Sequence, residues 1–178
     1  MKLKARKIYL ELFEGQEDLL DILCEWRNTN SFRNLCSTRR NQVDKKEFLD
    51  ELRSDFKNDR CIQFVIFEND SRIALGTVYA YGLNQTDGHV FGTIYLDDKR
   101  TNKGYGIEAF RLFGQHIFEL YGLHKLYAEV YAYNQHSLYL LKKAGFVEEG
   151  CFKEHRLMNG VRHDLIRLSF FRTQLDEV

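Results

Sequence analysis

Residues 97–110 read DDKRTNKGYGIEAF, and the two glycines, Gly104 and Gly106, fall where a charged loop runs into an apolar-periodic segment. Glycine costs about 1 kcal/mol in a helix interior, so its use at a helix start asks for a reason. A helix N-terminus exposes unpaired N–H donors and about half a positive charge, which makes it an anion site. Glycines let phosphate oxygens reach those donors without a Cβ in the way. Lys99, Arg100 and Lys103 add cations just ahead of the helix. The stretch 101–106 therefore predicts a phosphate or pyrophosphate site. A loop merely closed by glycines is the plain alternative.

Two phosphate motifs fit poorly. The P-loop is absent, because no Lys-Ser or Lys-Thr follows these glycines. GYGIEA satisfies the dinucleotide pattern G-x-G-x-x-[GA], but that pattern follows its strand directly, whereas DDKRTNK separates Leu96 from Gly104. The next strand ends YAYN, with no terminal carboxylate to hold a ribose. The match is read as accidental. Glu129 lies inside that strand, in LYAEVYAY, flanked on its own face by Tyr127 and Tyr131. A carboxylate there is a candidate general base, against the plainer reading of a solvated or ion-paired acid. The cysteines at 24, 36, 61 and 151 show no CxxC spacing, and no His/Cys/Asp grouping has ligand spacing, so no metal is expected.

These residues need elements to position them. KIYLELF (7–13) alternates as a strand, and Gln16–Asn28 carries Leu19, Ile22, Leu23 and Trp26 at helical spacing. Residues 29–43 read as polar and irregular. Asp44 with Glu47 has capping-box spacing and opens a helix over 45–57 presenting Phe48, Leu49, Leu52 and Phe56. CIQFVIFE and RIALGTVYAYGL form a hairpin, and HVFGTIYL (89–96) adds a strand. A helix to about Tyr121 follows the glycine loop, with Phe110, Phe113, Ile117 and Leu120 as its stripe. Then come strand 126–133, a short helix over 134–144, and two strands flanking Asn159–Gly160, a strong hairpin signal. The order β-α-α-β-β-β-α-β-α-β-β predicts an α/β (α+β) fold with a mixed, mostly antiparallel twisted sheet flanked by helices. The crossover makes strands 89–96 and 126–133 parallel.

With 178 residues, no proline, no repeat and no composition shift, one domain over 1–178 is expected. Lys plus Arg (26) equals Asp plus Glu (26), so no net field points to nucleic acid or an anionic membrane. The basic start, MKLKARKIYLELFEG, is interrupted by Glu11 and is too short for a signal peptide. No stretch approaches the ~18 apolar residues of a membrane span. The cysteine pattern leads to a cytoplasmic expectation.

A third phosphate pattern fits. The chain resembles the GNAT N-acetyltransferases, whose acyl-CoA loop follows [QR]-x-x-G-x-[GA]; T-N-K-G-Y-G stands in that register. The loop is followed in order by a helix, a strand and NQHSLYLLKKAGF (134–146), which resembles the family's second signature. Gly76 in RIALGTV matches a glycine common in its third strand. ILCEWRN (22–28) and EGCFKEHRLMNGVRHD (149–164) resemble the branch that acetylates ribosomal-protein N-termini. Thr101 departs from the usual Arg or Gln, at a position that mainly supplies a backbone N–H. Leu141 departs more seriously, because many relatives carry a general-acid tyrosine there. Tyr139 is about 200° around the helix from that position.

The resemblance implies an acetyl-CoA-dependent transfer of an acetyl group to a primary amine by direct attack, with acetyl-CoA as co-substrate. It places the thioester between strands 89–96 and 126–133. Ile94 and Leu96 hold pantetheine through their backbone, Thr101, Asn102, Lys103, Gly104, Tyr105 and Gly106 hold the pyrophosphate, and Asn134 and Ser137 contact CoA. Glu129 is the favoured base, and Ser137, one turn before Leu141, the favoured acid or sulfur hydrogen-bond donor. Asn134 has a second role available as a helix cap. His155 and His163 are candidates for the acceptor pocket, with His124 and His136 on the surface. The acceptor is a small-molecule or peptide amine: an amino-sugar nucleotide, whose phosphates Arg33, Arg39 or Arg40 could meet, a protein N-terminus, or another small amine. A homodimer is allowed. The competing readings are a catalytically inactive acyl-CoA-binding module, suggested by Leu141, and a Rossmann-type oxidoreductase.

Overall fold

The computed structural model describes residues 1–100 and 104–175, grouped in two compact units: 1–83 with 93–113, and 84–92 with 114 onward. Its elements are β1 (Lys2–Lys4), β2 (Ile8–Leu12), α1 (Glu17–Arg27), α2 (Asn30–Leu35), α3 (Lys45–Asn58), β3 (Arg60–Glu68), β4 (Ala74–Asn84), β5 (His89–Leu96), α4 (Tyr105–Tyr121), β6 (Lys125–Tyr131), α5 (Gln135–Lys143), β7 (Val147–Met158) and β8 (Val161–Phe171). Short 3₁₀ turns cover Asp98–Arg100 and Arg172–Leu175. The strands form one eight-stranded sheet in the order β1-β2-β3-β4-β5-β6-β8-β7. β5 and β6 pair in parallel, His89 against Lys125 and Phe91 against Tyr127, as a helical crossover requires.

In the first unit, β3 is buried from Ile62 to Phe67, because helices cover both of its faces. On one face Tyr9, Val65, Phe67 and Tyr95 meet Leu19, Leu23 and Trp26 of α1 and Phe48 and Leu52 of α3. On the other, Phe64 meets Phe113 of α4 edge to face, 6.1 Å between ring centres. α3 starts where Asp44 accepts the Glu47 N–H at 2.8 Å and Glu47 accepts the Asp44 N–H at 3.0 Å, the expected capping box. Residues 29–43 are not irregular throughout. Thr29 caps the six-residue α2 by accepting the Phe32 N–H, and this helix buries no residue fully. It therefore leaves no apolar stripe in the sequence.

In the second unit, Leu126, Ala128 and Val130 alternate inward on β6, with Leu168 and Phe170 on β8. Phe118 stacks on Phe170 at 6.4 Å, and Phe146 lies 5.3 Å from the same ring. The α4 stripe differs from the expected one at its end: Leu120 is exposed and Phe118 is buried instead. Phe56 of α3 is likewise at the surface rather than in the core. Asn159 and Gly160, at φ 50° and 79°, make the β7–β8 turn.

Candidate active site

In the first unit the site begins with Gly104. It sits at φ +80°, a left-handed conformation that side chains resist, and its carbonyl accepts the Glu108 N–H at 3.3 Å to open α4. Among the described residues, a Cβ built at Gly104 would have only the Lys7 ammonium within 4 Å, at 3.8 Å. Two ties from distant elements fix this first turn. The Tyr105 hydroxyl donates to Glu68 at the end of β3, and Glu108 accepts the Lys7 backbone N–H at 2.7 Å. Tyr105 is buried, so its side chain serves the fold. A Cβ at Gly106 would lie 3.2 Å from Leu96 Cδ1, a tight contact, so this second glycine lets α4 pack closely against the end of β5. Thr101, Asn102 and Lys103 lie outside the described residues.

β5 is held by close approach. A Cβ at Gly76 of β4 would fall 2.0 Å from the Tyr95 carbonyl oxygen and 2.9 Å from Leu96 Cα, so only glycine admits the β5 backbone there. The Ile94 carbonyl accepts the Cys36 thiol at 3.7 Å, and the Tyr95 hydroxyl lies 3.2 Å from both Thr29 and Ser31. The chain around α2 is thus pinned to the stretch Ile94–Leu96.

Beside it lies a pocket of about 260 Å³, lined among others by Thr93, Tyr79, Cys36, Glu51, Asp55 and Arg60. Burial raises the Tyr79 phenol to about 12, so it stays protonated and donates to the Cys36 carbonyl at 3.3 Å. Glu51 and Asp55 stand one turn apart on α3, and Asp59 caps its end in the same lining. This pocket escaped the reading of residue types, yet a signal was present. Carboxylates at i, i+4 and i+8 share one face, and two of them near a helix C-terminus oppose its dipole. A larger open cleft of about 1000 Å³, between the β2–α1 loop and α3, includes no β5 residue. Of these two pockets, the smaller one has a β5 residue, Thr93, in its wall. Arg39, a candidate for the acceptor's phosphates, forks onto Asp55 at 2.7 and 3.3 Å, and Arg33 is held by Asn30 and the Arg40 carbonyl.

In the second unit, Asn134 caps α5: its Oδ1 accepts the Ser137 N–H at 3.2 Å, while its amide nitrogen has no partner among the described residues. The Ser137 hydroxyl is similarly without a partner among them. Leu141 is buried under α5 and Tyr139 is 63% exposed, so neither replaces the missing tyrosine hydroxyl. Glu129 does share a face with Tyr127 and Tyr131, but one of its oxygens accepts both Nε and Nη2 of Arg167, at 3.0 and 2.6 Å. That guanidinium also stacks over Phe91, Tyr127 and Phe152. The arrangement is an ion pair in an aromatic frame, which favours the plainer reading of Glu129 over that of a free base. His163 packs edge-on against Tyr133 at 4.9 Å and His155 lies 6.0 Å from Phe152; neither lines the pocket.

The model of the GNAT acetyltransferase domain matches residues 7–147. The chain belongs to this acetyltransferase family. Among curated relatives, the probable N-acetyltransferase YjcK of Bacillus subtilis is 27% identical over 170 residues, covering 91% of this chain and 92% of that protein. The spermidine N(1)-acetyltransferase of Vibrio cholerae is 24% identical over 148 residues, covering 83% and 86%. Among solved structures, spermidine N-acetyltransferase from Vibrio cholerae, in complex with CoA and spermine, superposes with a TM-score of 0.83 at 21% identity, over 94% of this chain and 96% of that one. Two of these three matches are named as spermidine acetyltransferases and none as an acetyltransferase of ribosomal proteins, the branch that ILCEWRN and the closing hairpin resemble. Among the described residues no helix is long and apolar enough to cross a membrane, and no cluster has the make-up of a metal site.

Proposed function

We propose that this GNAT domain moves an acetyl group from acetyl-CoA to a primary amine by direct attack. The observation that carries the reading is the first turn of α4, where Gly104 at φ +80° opens the helix and a Cβ would meet, among the described residues, the Lys7 ammonium alone, at 3.8 Å. In this reading Gly104, Tyr105 and Gly106 hold the pyrophosphate through their backbone, together with Thr101, Asn102 and Lys103. The backbone of Ile94 and Leu96 holds pantetheine, with the Ile94 carbonyl already engaged by Cys36. Asn134 donates its amide N–H to CoA while its oxygen caps α5. The amine enters the pocket beside Thr93.

The acceptor amine must be neutral to attack, since a free alkylamine near pKa 10.4 is mostly protonated at neutral pH. Glu129, held by Arg167, is not assigned that proton. Departure of the CoA thiolate needs a donor, and the unpartnered Ser137 hydroxyl takes that position as a hydrogen bond to sulfur. The reaction is assigned to the cytoplasm, where acetyl-CoA is available.

Thiol release from acetyl-CoA tests this with a peptide bearing a free N-terminus, a nucleotide-linked amino sugar and a polyamine. At least one amine is expected to drive release, and Ser137→Ala to slow it roughly tenfold, the worth of one hydrogen bond. The second reading, an acyl-CoA-binding module without turnover, is favoured by Leu141. It predicts CoA binding with no thiol release from any amine.

A further inference from the structure

The acceptor pocket carries its charges in pairs. Arg27 forks onto Glu51 at 3.0 and 3.1 Å. Arg39 forks onto Asp55 and reaches Glu51 at 3.5 Å. Arg60 meets the second oxygen of Asp55 at 3.0 Å and lies 4.1 Å over the Tyr79 ring. Asp59 accepts the Gly82 N–H at 2.9 Å. Three arginines therefore face three carboxylates, and the formal charges of the lining cancel. The pairs differ in how freely they can change partners. The Arg27 and Arg60 side chains are 4% and 13% exposed, whereas Arg39, on the loop between α2 and α3, is 43% exposed.

From these pairs we infer that the pocket selects a zwitterionic acceptor, a primary amine whose body also carries a carboxylate or phosphate, and disfavours polyamines. The inference rests on the reading of this pocket as the acceptor site. A polycation can reach Asp55 or Glu51 only by displacing a guanidinium, which is then left partly buried without its counter-charge, a costly arrangement. A zwitterion exchanges pairs instead: its ammonium takes the Asp55 carboxylate while its anion takes the Arg39 fork, whose planar donors suit carboxylate and phosphate alike. No charge is then left unpaired. Arg39 is the residue that determines this specificity, because it alone of the three is both exposed and bound to two acids.

Matched amines isolate the charge. L-lysine differs from pentane-1,5-diamine by its carboxylate, and glucosamine 6-phosphate from glucosamine by its phosphate, so the two pairs also separate the two anions. In at least one pair the anionic member is expected to have a kcat/KM at least tenfold higher, and to exceed spermidine. Arg39→Ala should collapse that ratio and raise kcat/KM for spermidine about tenfold, because it frees the Oδ1 oxygen of Asp55 while Arg60 keeps the other. If both ratios are flat or inverted, or neither anionic amine is turned over, while CoA still stabilises the wild-type protein, the charge assignment is overturned. If CoA fails to stabilise the protein and no amine releases thiol, the acetyltransferase reading falls, and this inference with it.

Discussion

At Gly104 and Glu129 the same kind of sequence signal leads to different outcomes. A glycine at a helix start marks either a special backbone conformation or a need for clearance, and Gly104 shows the first at φ +80°, with only the Lys7 ammonium among the described residues near a Cβ built there. A carboxylate in mid-strand marks either a reactive group or half of an ion pair, and Glu129 is found paired with Arg167. The sequence could not show this, because Arg167 comes opposite Glu129 only through the β6–β8 register, 38 residues away. The pair is 32% and 24% exposed, so its worth is about 1 kcal/mol or less. Glu129→Gln is accordingly expected to lower stability by no more than that in denaturant melts, and to leave kcat within a few-fold at every pH. A hundredfold loss of kcat with a changed pH profile would return Glu129 to the role of base.

Among the elements, those with a strong period were legible and the short ones were not. α1, α3 and β3–β6 announce themselves through buried faces, and the Asp44 capping box through its spacing. β1 has three residues and α2 has six with none fully buried, so neither has room for a periodic signal. Yet α2 and its flanks wall the pocket and bind β5 through Thr29, Ser31 and Cys36. Gly76 was visible only as a family glycine; its cause is the Tyr95 carbonyl that would otherwise meet a Cβ at 2.0 Å. Gly76→Ala must push β5 away and is expected to destabilise the fold by about 1–3 kcal/mol. It should also raise KM for acetyl-CoA, because Ile94–Leu96 would move. Steady-state kinetics on the folded fraction checks this, and an unchanged KM would remove β5 from the pantetheine site.

For the whole molecule, equal numbers of acidic and basic residues conceal an organised distribution: the three arginines of the pocket are balanced by its three acids, with Glu51 and Asp55 sharing all the ion pairs. Charge totals carry no such information, since pairing is a property of the fold. Burial also holds the His116 imidazole below its usual range. As pH falls, the unfolded chain therefore takes up that proton first. The stability linked to His116 is complete above about pH 6.5 and is lost as pH drops through the lower folded value. Between pH 7 and 5, Tm is expected to fall more steeply in the wild-type protein than in His116→Leu. Equal slopes would show that this histidine is not a stability-linked titrating group.

The most direct measurement of the central claim is the thermal stability of the protein with CoA. A ligand at 100 times its Kd adds about 2.7 kcal/mol to the folded state, so millimolar CoA should raise the wild-type Tm clearly. Gly104→Val, which forces a β-branched side chain to φ +80° in the space ahead of α4, should abolish the rise while its unliganded melt remains cooperative. No rise in the wild-type protein, or an equal rise in the variant, would contradict the assignment of this helix N-terminus to acetyl-CoA.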